Sequence, residues 1–150
     1  MKINDCIKLV ETELPPSSWL TITQDRINTF ANATNDHQFI HVDEKRAKET
    51  PFGSTIAHGY LTLSLLSDLL SHCWPKIDGL VMGINYGSNK IRYLSPVKVG
   101  QNIRATARFI EIGEKRPGQW LITTSVTVEI KEETTPALIA EILSLFIVED

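Results

Sequence analysis

The densest group of chemistry-bearing residues is Asn35-Asp36-His37-Gln38-Phe39-Ile40-His41-Val42-Asp43. A carboxylate and an imidazole held close together can share one water molecule. The carboxylate orients it and accepts a proton, and the imidazole, which titrates near neutrality, can pass a proton on. Asp36 and His41 suit those roles, because the irregular stretch between them lets both side chains turn into one cavity. The same pair also fits a turn-capping aspartate and a hydrogen-bonded buried histidine. His37 and His41 stand four apart, a spacing that can ligate a metal on a helix. The stretch does not read as helical and shows no third ligand nearby, so no metal is expected.

A second group, Gly53-Ser54-Thr55-Ile56-Ala57-His58-Gly59-Tyr60, opens a leucine-rich segment. Backbone N–H groups at a helix start have no intrahelical partner and carry the positive end of the dipole. With no side chain on Gly59, a carbonyl could approach its N–H, which would stabilise an enolate-like oxygen as charge develops. Gly59 equally suits close packing at a helix start, with His58 as a buried hydrogen-bonding residue. Ser67 lies just over two turns beyond Gly59, on roughly the same helix face, and could instead bond its own backbone. Arg92 fits a solvated strand charge, or a phosphate contact at a cleft mouth. Nucleophile-elbow, P-loop, dinucleotide-binding and H-E-x-x-H patterns are all missing from the chain.

These residues need elements to position them. A helix is expected from Thr23, or from Thr21 through a capping box with Gln24, burying Ile27, Phe30, Ala31 and Thr34. Asp43 caps a short helix over 44–50, which Pro51 and Gly53 stop. Across 58–72 the leucines 61, 63, 65, 66, 69 and 70 cover nearly every side, which predicts a helix buried all round. Beyond Pro75 the period changes to two. Strands are expected at 80–84, 88–94, 103–109, 122–130 and 137–148, with a hairpin turn over 113–119 that contains Pro117-Gly118. Helices in the front half and strands behind indicate an α+β domain in which an antiparallel sheet curls around the central helix.

At 150 residues the chain suits one domain, and 42% hydrophobic with 22% charged residues is ordinary for a globular protein. Fifteen Lys and Arg against eighteen Asp and Glu leave a net charge of −3, which provides no field for a polyanion, so nucleic acid is not an expected partner. Cys6 and Cys73 stand far apart, which argues against a disulfide framework. The first residues lack the apolar stretch of an export signal, and no run approaches the roughly 20 apolar residues of a membrane span. A cytoplasmic protein without membrane attachment is expected.

Taken in order, the set is specific. It runs Phe30, Asp36-(x)4-His41-Val42-Asp43 with Ala47, Pro51-Phe52-Gly53, Ile56-Ala57-His58-Gly59, then Asn89-Lys90-Ile91-Arg92-Tyr93 with Pro96-Val97 and Gly100. It resembles the MaoC-like dehydratases, the (R)-specific enoyl-CoA hydratases of hot-dog fold, from about Thr21 to the C-terminus. The resemblance implies syn addition of water to a trans-2-enoyl thioester, with Asp36 and His41 activating the water. The Gly59 N–H would bind the thioester carbonyl, while Ser67 and His58 would support from behind. It implies a coenzyme A or acyl-carrier thioester as substrate and no cofactor. It also implies a homodimer joined edge to edge, with an acyl tunnel near the subunit boundary. Where the commonest pattern has Asn-Pro, this chain has Gln38-Phe39, which resembles the branch related to nodulation protein N. Two rivals stand beside this reading: a hot-dog thioesterase using Asp68, and a non-catalytic acyl-CoA-binding module.

Overall fold

The computed structural model describes residues 1–149. A short helix α1 (Ile3–Cys6) and a two-residue strand β1 (Leu20–Thr21) precede helix α2 (Gln24–Thr34). Thr23 rather than Thr21 starts α2, its hydroxyl accepting from the Arg26 N–H at 3.2 Å. The capping box expected from Thr21 does not form, because Thr21 is in β1 and Gln24 turns its amide elsewhere. Ile27 and Ala31 are buried and Phe30 half-buried, whereas Thr34, expected on the same stripe, is exposed. Asn35 ends the helix at φ 58°, a conformation that Asn tolerates better than most residues. Two single-turn helices follow: α3 (Phe39–Val42), unforeseen in the sequence, and α4 (Glu44–Ala47), capped by Asp43 through the Arg46 N–H at 3.0 Å.

The leucine-rich segment forms two helices, α5 (Gly59–Ser64) and α6 (Leu66–Cys73), separated by Leu65. The continuous helix expected over 58–72 is therefore interrupted, and it is not buried all round. Leu61, Leu65, Leu66, Leu69 and Leu70 are buried, but Ser64, Ser67, Asp68, Ser71 and His72 are exposed. The hydroxyls of Ser64 and Ser71 bond back to the carbonyls of Tyr60 and Asp68, as small polar residues on a helix can.

Four long strands complete the fold: β2 (Leu80–Tyr93), β3 (Asn102–Arg116), β4 (Gln119–Ile130) and β5 (Leu138–Val148). The sheet order is β1-β3-β4-β5-β2, with every neighbour antiparallel. The two short strands expected at 80–84 and 88–94 are one strand, β2, whose pairing with β5 shifts register at Asn85/Gly87 and Ser88/Lys90. Bulges add twist and bend a strand. Pro117-Gly118 makes the β3–β4 turn, and Gly118 takes φ 73° there. The predicted alternations hold: Ile103, Ala105, Ala107 and Phe109 from β3, and Ile122, Val126, Val128 and Ile130 from β4, face the core. The result is an α+β hot-dog fold, a curled antiparallel sheet holding the α5–α6 pair.

The two sheet edges differ. The outer edge of β3 is covered by the N-terminal segment, where Glu11, Leu14 and Ser17 donate to the carbonyls of Phe109, Ala107 and Ala105. β2 pairs with β5 on one side only, and Val81, Met82, Ile84 and Tyr86 are each about half exposed. Leu69 is the fully buried leucine that seats α6 in the core. Leu69→Ala is expected to destabilise the protein by about 2–5 kcal/mol, read as a lower midpoint in urea unfolding.

Candidate active site

The imidazole of His41 is 6% exposed. Its Nδ1 lies 2.7 Å from the Ile56 carbonyl oxygen. A carbonyl can only accept, so Nδ1 carries the hydrogen and Nε2 of the neutral ring keeps a lone pair. The Ile56 carbonyl is itself held. The Ile56 N–H donates to Ile40, the Ala57 N–H to Val97, and the Val99 N–H to Thr55, at 2.8–3.0 Å. Burial pulls the His41 pKa below its usual 6.5, and the nearby His58 adds to this. The Ile56 carbonyl and the Asp36 carboxylate push the other way.

The His58 ring stacks on His41 with centroids 3.9 Å apart, and Phe30 closes on its other side at 4.9 Å. His58 is 2% exposed, and its Nε2–H donates to the Asp36 main-chain carbonyl at 3.0 Å. It thereby ties the loop that carries the Asp36 carboxylate to the start of α5. That carboxylate accepts from the Gln38 N–H at 3.3 Å. A carboxylate oxygen of Asp36 and one ring nitrogen each of His41 and His58 all lie within 4.8 Å of one another. Gly59 is the first residue of α5, so its N–H stands outside the helix ladder. A Cβ on Gly59 would meet the Tyr93 ring at 3.0–3.3 Å, so glycine is also what lets Tyr93 pack there. A cleft of about 370 Å³ opens between His41, Gly59, Thr62, Tyr93, Val97 and Ala137.

Four of the five sequence candidates, Asp36, His41, His58 and Gly59, therefore converge. Ser67 does not join them. It is exposed, borders a separate chamber of about 850 Å³, and makes no hydrogen bond to Asp36 among the described residues. Eight residues on a helix of 3.6 per turn leave Gly59 and Ser67 about 80° apart, enough to turn Ser67 towards a different cavity. Arg92 is exposed and its guanidinium bonds the Ile91 carbonyl. Three contributors were not read from the sequence: the Ile56 carbonyl, Tyr93 as the neighbour of Gly59, and Gln24. A backbone carbonyl leaves no trace in a residue pattern, and a ring packed across 34 positions of chain has no local signature.

The sequence profile described as MaoC like domain matches residues 7–134. The chain belongs to the MaoC-like family. This MaoC-like chain is 47% identical over 125 residues to 3-hydroxyacyl-thioester dehydratase Z of Mycobacterium tuberculosis, covering 83% of this chain and 82% of that protein. It is 44% identical over 146 residues to nodulation protein N of Rhizobium leguminosarum bv. viciae, covering 97% and 91%. The solved MaoC-like dehydratase from Rhodospirillum rubrum shares the fold, with a TM-score of 0.75 at 19% identity over 94% of each chain. As a MaoC-like dehydratase the chain is a hydro-lyase.

The Gln38-Phe39 variation of the MaoC-like loop has a structural counterpart. Phe39 is the first residue of α3, a position where proline is well tolerated, and here the Arg46 guanidinium stacks 4.2 Å above its ring. The grouping of Asp36, His41 and His58 raises the question of a metal, which the sequence reading set aside for want of a helix and a third ligand. Both are present, since His41 is on α3 and His58 supplies a further nitrogen, while His37 turns away to Asn32. The ring planes nevertheless lie 24° apart in a stack. In this grouping the Nε2 of His58 is already engaged by the Asp36 main-chain carbonyl.

The lowered pKa keeps His41 neutral, with its Nε2 lone pair available, to more acidic pH than an ordinary histidine. An NMR titration of the imidazole is expected to show its midpoint below 6.5 and the Nδ1–H tautomer above it. The unfolded chain takes up this proton first as pH falls, so the contribution of neutral His41 to stability is lost on acidification from about 6.5 downwards.

Proposed function

We propose that the chain catalyses the reversible syn hydration of a trans-2-enoyl thioester to an (R)-3-hydroxyacyl thioester. The observation that carries this reading is a buried, tautomer-defined His41 beside the Asp36 carboxylate, opening on a cleft next to Gly59. A water held between Nε2 of His41 and the carboxylate adds its oxygen to the β-carbon and gives up a proton to the pair. The π electrons move towards the thioester carbonyl, whose oxygen accepts from the Gly59 N–H. One member of the pair returns a proton to the α-carbon on the same face. No cofactor is needed; the thioester, on coenzyme A or an acyl carrier protein, is substrate. The names of the relatives support the thioester class, since one is a 3-hydroxyacyl-thioester dehydratase.

The acyl chain would extend into the chamber bordered by Ser67, Leu70, Trp74, Ile91 and Phe146. In this reading Ser67 acts as a lining residue rather than a support for Asp36. The chamber wall includes β2, whose bare apolar edge is a pairing liability unless covered. A second copy of the chain joining β2 to β2 would cover it, which gives a homodimer with the chamber at its seam. Among the described residues no helix is long and apolar enough to cross a membrane, which is compatible with a cytoplasmic enzyme. The thioesterase rival loses its carboxylate: Asp68 is exposed, 3.8 Å from His72, and does not line the cleft of His41. The binding-module rival gives no reason for a buried, oriented imidazole beside a carboxylate.

Incubation with crotonyl-CoA is expected to consume the enoyl absorbance without releasing thiol. Asp36→Asn and His41→Ala should each reduce the rate at least about 100-fold. Thiol release, or full activity in both variants, would overturn the assignment. Light scattering is expected to give twice the mass of one chain, and Ile84→Asp on β2 should reduce it to the mass of one.

A further inference from the structure

The element carrying His41 is too small to orient it. α3 is a single turn, and its backbone contributes two bonds at its ends, from the His41 N–H to the Gln38 carbonyl and from the Asp43 N–H to the Phe39 carbonyl, each at 3.0 Å. One isolated turn has little stability of its own. The imidazole must therefore be aimed by bonds from outside the helix. One is the Ile56 carbonyl on Nδ1; the other reaches His41 from the opposite side, at its main-chain carbonyl.

That second bond comes from Gln24, in the first turn of α2. Its Nε2 donates to the His41 carbonyl at 2.8 Å and to the Asn28 side-chain oxygen at 2.9 Å. Its Oε1 accepts from the Thr55 hydroxyl at 2.5 Å. The orientation of the amide follows from its partners: the His41 carbonyl can only accept, so Nε2 must face it and Oε1 must face Thr55. Thr55 is 1% exposed and immediately precedes Ile56. The bonds close on themselves. They run from Gln24 to the His41 carbonyl, through the ring to the Ile56 carbonyl, along one peptide to Thr55, and from its hydroxyl back to Gln24. The Thr55 carbonyl is further held by the Val99 N–H at 3.0 Å, which anchors the circuit to the segment before β3.

We infer that Gln24, acting with the Thr55 hydroxyl, is a positioning residue that aims the His41 imidazole. It touches neither water nor substrate. Its amide joins the two supports of His41 into one unit, so ring and carbonyl cannot shift independently. In well-oriented reactions a misplacement of about 1 Å can cost on the order of 100-fold in rate. The expectation is therefore an effect on turnover rather than on substrate binding. The kinetic part rests on the hydration reading; the geometry of the ring does not.

Gln24→Leu and Thr55→Val each remove one side of the circuit with little change in bulk. Both are expected to lower kcat by about tenfold to 100-fold with KM changed less than about threefold. Thr55→Ser, which keeps the hydroxyl, should stay within about threefold of the parent. Where Gln24→Leu does not fold, Gln24→Glu serves, since it keeps an acceptor for Thr55 and loses the donor to His41. A substrate-free measurement accompanies the kinetics. Imidazole 15N NMR should show a slowly exchanging Nδ1–H on His41 in the parent and in Thr55→Ser, and a fast-exchanging or mixed-tautomer ring in Gln24→Leu (or Gln24→Glu) and in Thr55→Val. Folded variants that keep both kcat and the protected Nδ1–H would overturn the inference. A parent protein inactive on every enoyl thioester would instead overturn the hydration reading, and the NMR comparison would still decide the role of Gln24.

Discussion

A neutral imidazole in the protein interior is tolerable only when its N–H finds an acceptor, since an unmet donor there costs roughly 1–3 kcal/mol. The bond from His41 to the Ile56 carbonyl meets that requirement, and much of the surrounding structure follows from it. The acceptor has to be immobile, so residues 55–57 are stitched to Ile40 on one side and to Val97 and Val99 on the other. Through those stitches the connection between β2 and β3, the start of α5 and the loop after α2 all meet at one ring. His58 extends the same network to the Asp36 main chain. The acid–imidazole pair is thus assembled from three chain segments, each held by backbone bonds.

The sheet divides its labour along its width. Where β3 faces α6, small and large residues are buried in one core: Ala105, Ala107 and Phe109 with Leu66, Leu69 and Cys73. Where β2 turns away, the space beside α5 and α6 is left open, and Ser64, Ser67 and Ser71 face it together with Leu63, Leu66 and Leu70. The closed half supplies stability and the open half supplies volume. The two edges show the same asymmetry, with one strapped by the N-terminal segment and the other left long, apolar and unpaired.

Which polar residues come together was largely legible in the sequence. Asp36 and His41 sit in one dense polar run, and Gly59 opens a leucine-rich segment just after His58. The strands of the back half could be read from their alternation, because burial of one face acts residue by residue and leaves its period in the chain. The grouping of Asp36 with both imidazoles could not be read that way. It depends on two imidazoles, 17 positions apart, meeting face to face, and that contact belongs to packing alone.

Residue type and period therefore specified an α+β protein with period-two strands, a leucine-rich core helix and an acid–imidazole pair, because each of these is a local property of side chains. The break at Leu65, the merging of two short strands into β2, the departure of Ser67 from the site and the closed circuit through Gln24 were settled only on folding. Each depends on which backbone carbonyl or N–H comes within about 3 Å of a distant group. Backbone groups are the same at every position, so their partners are chosen by three-dimensional proximity and not by the order of residues.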